Sequence, residues 1–443
     1  MTRRALTPGH RLAKGVSLIE LMVAITLGIL VALGIVNIFH TTSSSSLVQA
    51  QLARLQEGGR FAITALANDL RMANAQYCSN MGGQSAALSN GVVNLDRYLR
   101  APRVILSGAT WQNALSDVTT GWGTTSGGLT YPAAPTTPFV LPSWYAMRGY
   151  DCTKTACTPV DPAGPSTGTN VIPAQGTATG NRVLGSDVLT LRYLNGTRGW
   201  TLDGVQSKMT IASQVVTSMT ITQQTGEPPL SDIKSGDLMM LADCNASQVF
   251  SAKVAGTTIT PDSNYTTLSQ PTGVSPRLFD FNRDYQTVTY YLQVVDDNNG
   301  NKTGALIRRL NGVSSEVVRG VERLDFLYGV MDATGNTSFR SAADIDSSTS
   351  CASSSPSTLG SDPGCMWRSV QSIEIHLLMD GQKPLYALNA GDMQFQYYGD
   401  TGITGLAAPD NTSRVVTPAQ QGFDNHMLRR EFSTLVSVRN YNP

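Results

Sequence analysis

Nineteen consecutive uncharged residues, from Leu21 to Phe39, constrain this chain more than any other feature. As a helix they cover about 28 Å, close to the hydrocarbon thickness of a bilayer. Arg3, Arg4, Arg11 and Lys14 precede the run, and the first acidic residue is Glu20. A basic flank stays on the cytoplasmic side, so the rest of the chain is expected to be exported. A secretory signal would be cut after the apolar run, at a small-x-small site. The run instead ends in Asn37, Ile38, Phe39 and His40, followed by the hydroxyl-rich stretch 41–46. A plain membrane anchor leaves Glu20 unexplained, because a carboxylate at the edge of an apolar helix is costly unless paired.

The helix is expected to continue beyond the membrane. Val48, Leu52, Leu55, Ala62, Leu66 and Leu70 recur at helical spacing, with polar side chains mostly on other faces. The reading is one helix over 17 to about 74. Fraying is expected at 41–46, where helix propensity is poor, and a bend at Gly58 and Gly59.

Beyond Cys78 no long amphipathic helix stands out. Charged residues are only 14% of the chain, while 41 glycines and 21 prolines favour short strands and turn-rich loops. Strands are predicted at 103–106, 188–193, 208–211, 215–221, 237–241, 247–251, 287–295, 305–310, 371–379 and 429–440. The stretch 313–330 reads as a strand leading into an amphipathic segment or another strand. Residues 107–180 are expected to form an irregular excursion, 342–363 a loop, and 296–304 a hairpin turn. That turn fails as a calcium loop. With Gly300 sixth, Asp297 and Asn299 fit, but Val295 and Leu306 occupy positions that need carboxylates. The fold class expected is α+β: a long N-terminal helix packed on a large, mainly antiparallel β head domain with long loops.

Six cysteines with an export signal suggest disulfides in an oxidising compartment. Cys152–Cys157 and Cys351–Cys365 would close short loops. Cys78–Cys244 would then tie the end of the helix to the sheet. The alternative is six unpaired, buried thiols. No hydrolase elbow, zinc-protease motif or phosphate loop occurs, so no catalytic residue, metal or cofactor is expected. Net charge is zero, and the head lacks the dense basic stripe of a nucleic-acid binder.

The N-terminus resembles the type III signal of type IV prepilins and pseudopilins. Lys14 and Gly15 match the end of a short basic leader, and Glu20 matches the glutamate at the fifth mature position. Val16 departs from the family, which usually has phenylalanine there. The resemblance implies cleavage between Gly15 and Val16 by a prepilin peptidase, N-methylation of Val16, and an apolar helix kept as anchor and filament core. Losing the leader takes Lys+Arg from 32 to 28 against 32 Asp+Glu, leaving the product near minus four. Placed in an apolar filament core, Glu20 would pair with the new amino group of a neighbour's Val16 and set axial register.

Further stretches resemble PilW-type minor pilins: 55–62, 68–73, 187–193, 236–244 with Val249 and Phe250, 320–330, and 429–434 with Arg439 and Asn440. The implied organisation is a leader over 1–15, a transmembrane helix over 16–39, its amphipathic continuation over 40–76, and an exported head over 77–443. The implied protein is a minor pilin of the inner membrane. It is incorporated at low copy, close to the tip, and primes type IV pilus assembly. Its implied partners are the prepilin peptidase, other minor pilins, the major pilin, the inner-membrane assembly platform and a large tip adhesin. The first alternative is a minor pseudopilin of type II secretion. The different-class alternative is a membrane-anchored periplasmic enzyme or binding module.

Overall fold

The computed structural model describes residues 15–77, 102–163, 171–243, 246–262, 268–296, 300–331, 336–348, 363–386, 388–389 and 391–438. The chain divides into two compact units, Met1–Ala53 and Arg54–Pro443. One helix, Leu18–Leu70, runs through the boundary.

The helix is unbroken over 41–46, where fraying is expected. Its hydroxyls fold back onto it. Thr41 Oγ1 donates to the Asn37 carbonyl at 2.9 Å, and Ser44 Oγ donates to the Thr41 carbonyl at 3.0 Å. The helix stops at Leu70 rather than near residue 74. Asn74 takes a left-handed conformation (φ 62°), and its N–H donates to the Arg192 carbonyl at 3.1 Å. The Leu194 N–H then donates to Ala75 at 2.7 Å, tying the exit of the helix to a strand.

Gly58 and Gly59 do not break the helix; they let it approach the sheets. A Cβ on Gly59 would stand 2.7 Å from the Phe432 ring, and one on Gly58 would stand 3.0 Å from Met379 Cε. At Gly59 a Cβ would collide with the ring, whereas at Gly58 the flexible end of Met379 would have to give by a few tenths of an ångström.

The head contains three main sheets. The first runs Val313–Arg319, Lys302–Leu310, Tyr285–Asp296, Val188–Leu194, Met147–Cys152, Cys157–Thr158, with every pair antiparallel. The second runs Thr337–Arg340, Val321–Met331, Val370–Asp380, Arg429–Ser437, again antiparallel. Residues 321–330 are therefore strand. The third sheet is built mostly from residues 200–280, with Arg103–Ile105 laid parallel to Ser247–Ala255.

Leu55, Ala62, Leu66 and Leu70 are at most 1% exposed. They share one core with Leu191, Val288 and Leu292 of the first sheet and Leu324, Ile375 and Leu377 of the second. Each fully buried leucine stabilises this docking by about 1.5–3 kcal/mol. Leu52, on the same predicted stripe, remains 39% exposed. The α+β architecture expected from the pattern is the one observed.

The segment 107–180 is less irregular than expected. It carries the short helices Gly108–Asn113 and Ser143–Ala146 and the strand Met147–Cys152. Trp111, Tyr131, Trp144 and Tyr145 are buried in a second core with Leu238, Met240 and Phe279. Edge-on contacts such as Trp122–Trp144 (5.6 Å) and Tyr131–Trp144 (5.1 Å) hold it. The predicted loop 342–363 opens with a helix, Ala342–Asp346, whose first N–H groups donate to Asp151. The hairpin joining Tyr285–Asp296 to Lys302–Leu310 closes on Asp296 opposite Lys302. Asp297 and Asn299 of the rejected calcium loop lie outside the described residues.

Candidate functional site

Two places gather the residues singled out by sequence: the start of the helix and the face on which Arg54–Leu70 docks.

At the first, Ser17 and Glu20 form reciprocal hydrogen bonds. The Glu20 N–H donates to Ser17 Oγ at 3.2 Å, and the Ser17 N–H donates to Glu20 Oε2 at 3.3 Å. This is a capping box. The serine-x-x-glutamate spacing at Ser17 and Glu20 encodes it. Glu20 therefore has a local structural role. Val16 is 72% exposed, and the large apolar side chains from Leu18 to Phe39 are all more than half exposed. The segment is long and apolar enough to cross a bilayer.

At the second, Asp69 projects from the last turn of the helix into the first sheet. Arg308 Nε donates to Asp69 Oδ2 at 2.6 Å, and a second guanidinium nitrogen donates to Oδ1 at 3.1 Å. Tyr193 donates to Oδ1 at 2.9 Å and Tyr290 to Oδ2 at 2.6 Å. One carboxylate thus holds side chains from three strands. Burial, then the charge of Asp69, pushes both tyrosine hydroxyls well above their ordinary range, so they stay protonated donors. The bond to Asp69 in turn raises Arg308.

The second sheet holds a buried ion pair. Arg429 meets Glu322 bidentately, at 2.7 Å from Nε and 2.8 Å from a terminal nitrogen, with both side chains 0% exposed. The remaining guanidinium donors reach the carbonyls of Asp424 (2.6 Å), Asn425 (3.2 Å) and Met427 (3.0 Å). All five Arg429 N–H groups are used. The sequence marked 320–330 and 429–434 separately, and the fold joins them here. Gly320 is nearby at φ 82°, where a Cβ would press within 2.9 Å of the Asp380 carbonyl.

Asp380 is buried beside this pair. It accepts hydrogen bonds from Thr303 and from the Gln382 N–H. Burial first, then the Glu322 charge, pushes its carboxyl up to about 7. The folded chain therefore binds a proton at Asp380 that the unfolded chain has lost above its ordinary range near 3.8. The stabilising contribution is complete below that ordinary value and is lost as pH rises through about 7. Asp380→Asn is expected to remove this slope, which reaches about 1.4 kcal/mol per pH unit. The asparagine amide can face Thr303, whose hydroxyl already lies 3.5 Å from the Gly304 carbonyl. Urea unfolding at a series of pH values from 4 to 8 checks this: the two chains should differ in pH slope. Equal slopes would mean that Asp380 is ionised throughout.

Cys152 and Cys157 form a disulfide, and Arg182 donates towards both sulfurs at 3.6 and 3.4 Å. Cys365 is also disulfide-bonded. Cys78, Cys244 and Cys351 lie outside the described residues. Among the described residues no group of three His, Cys, Asp or Glu is arranged to hold a metal.

Residues 289–440 match the family model for the Type IV Pilus-assembly protein W. The match covers about a third of the chain and includes Tyr290, Arg308, Glu322, Asp380, Arg429 and Phe432. No curated protein and no solved structure gives a match.

Proposed function

We propose that this chain is a minor pilin, made as a precursor, cut between Gly15 and Val16, and built at low copy into a type IV pilus near its tip, where it primes assembly. The observation that carries the reading is one continuous helix, apolar and exposed at its start, whose end docks on a segment homologous to a pilus-assembly family. A helix of this kind buries its first half in lipid before assembly and against other helices after it. The head stays outside, and the prepilin peptidase, the assembly platform, the major and minor pilins and a tip adhesin are the partners.

In this reading Glu20 has two roles that substitution separates. Ser17→Ala removes only the cap, at a cost of about 1 kcal/mol to the helix, and is expected to leave incorporation intact. Glu20→Ala also removes the charge that meets the amino group of a neighbour's Val16. It is expected to insert in the membrane and lose its leader normally, yet to be absent from sheared filaments. Mass analysis of the membrane form should show N-methylated Val16, and a start beyond residue 40 overturns the reading. Intact pili with lost protein secretion in a deletion strain would move the protein to a secretion pseudopilus. Normal incorporation of Glu20→Ala would reject the pairing.

A further inference from the structure

A sheet edge presents a row of unpaired backbone groups, and proteins guard such edges with charge, bulges or brevity. The described edges of this head mostly follow that rule. Phe139–Val140, Cys157–Thr158 and Trp200–Thr201 are two residues long. Thr337–Arg340 is short and ends in arginine. Lys208–Ala212 opens on lysine, and its pairing shifts register at Val216. Val313–Arg319 carries the Glu316–Arg319 ion pair, and its pairing slips at Leu306.

Arg429–Ser437 is the exception. It is the outer strand of the second sheet. It pairs with Val370–Asp380 through nine consecutive residues with no register shift. Its charges are confined to Arg429, Arg430 and Glu431, and Arg429 is turned inward to Glu322. From Phe432 to Ser437 there is no charge, proline or bulge. Among the described residues, no second strand pairs with it.

The side chains beside this edge are suited to a partner of definite chemistry. Glu374 lies opposite Leu435 in the ladder, and His376 lies opposite Ser433, so these four share one face. Leu435 is 56% exposed, and Tyr398, stacked on His376 at 3.9 Å, is 50% exposed. Glu431 takes His376 Nδ1 at 2.7 Å, and Glu374 lies 3.3 Å from the other ring nitrogen. Glu431 is thus bonded to the histidine and Glu374 stands beside it without a hydrogen bond, leaving an acidic surround to an apolar spot. The opposite face of the strand buries Val436 in the core.

We propose that Arg429–Ser437 receives a β-strand from a different subunit of the filament, an extended segment that is apolar against Leu435 and Tyr398 and basic towards Glu374 and Glu431. Backbone pairing would supply most of the attraction, and the acidic rim the choice of partner. The inference rests on the pilus reading for where that strand comes from, but not for whether the edge can pair.

The test has two arms. In the first, the full chain in detergent micelles is mixed with a short peptide alternating valine with lysine and threonine. The peptide is N-methylated at alternate residues so that only one of its edges pairs. Hydrogen exchange read by mass spectrometry should slow about tenfold, confined to fragments from 429–438. The same peptide with glutamate for lysine should give no protection, and Leu435→Lys should abolish it. Protection that is absent, equal for both peptides, or equal at Val313–Arg319 overturns the proposal. So does sedimentation showing that the chain alone dimerises through this edge, which would make a second copy the occupant. In the second arm, Leu435→Lys is expressed in cells. Normal membrane levels with surface pili reduced at least tenfold are expected, and normal piliation where the deletion strain has lost its pili overturns the proposal. A peptide failure beside a defective Glu20→Ala strain removes the edge proposal alone. Peptide binding in a strain whose deletion leaves pili intact removes the pilus reading alone.

Discussion

Glu322→Gln is expected to destabilise the chain by about 3–5 kcal/mol. The reason is the isolation of Arg429. Its guanidinium is 0% exposed, and Glu322 is its only carboxylate partner at ion-pair distance among the described residues. Glutamine keeps one acceptor but turns an amide N–H₂ towards a group that can only donate. The cation is left among the carbonyls of Asp424, Asn425 and Met427 with no carboxylate at ion-pair distance, and only the charge of the neighbouring Asp380, felt from further off, offsets it. Arg429→Met should cost a similar amount, because Glu322 is then the lone buried charge. The double replacement by methionines should cost clearly less than the two singles together. It should not be neutral, since the three carbonyls lose their donor. Urea unfolding of the full chain in detergent, followed by tryptophan fluorescence, measures the cycle. A single-variant loss under about 1 kcal/mol would mean that water reaches the pair.

This pair also marks the boundary of what the sequence discloses. Both of its stretches stood out, yet nothing in a single chain says that residue 322 meets residue 429. Features governed by local pattern were readable. The apolar run, the alternation at 371–379 and the β-rich run at 287–295 all fall in the elements expected of them. Features governed by distant neighbours were not. Gly58 and Gly59 look like a bend until the close approach of Met379 to the first and of the Phe432 ring to the second is seen. The 41–46 run looks like a break until its hydroxyls are seen to donate to the preceding turn. The aromatic core of 107–180 has no regular spacing because it is assembled by ring-on-ring contacts between short helices and loops rather than by one face of a long element. The capping box is likewise local, and its serine-x-x-glutamate spacing is legible at Ser17 and Glu20.

Asp69→Ala should be among the most damaging single changes within the docked part of the helix, at about 3 kcal/mol. The carboxylate is the acceptor for Arg308, Tyr193 and Tyr290 at once. Truncation leaves the Tyr193 hydroxyl buried without that partner. Tyr290 keeps only its longer bond, 3.3 Å to the Ala65 carbonyl. Arg308, about a quarter exposed, can turn to water, so the loss falls short of that at Glu322. The two sites also differ in where the damage appears. Glu322 lies inside the second sheet, and its loss lowers global stability. Asp69 clamps the last turn of the helix, so its loss should first speed exchange of the amides in 60–70, with the strands of the first sheet following only at higher denaturant. Asp69→Asn retains one acceptor oxygen and should fall between the two chains. Parallel loss of protection in the helix and in Tyr285–Asp296 would show that helix and sheet open as one unit. Selective loss in the helix would show that Asp69 fastens a separable element to the head.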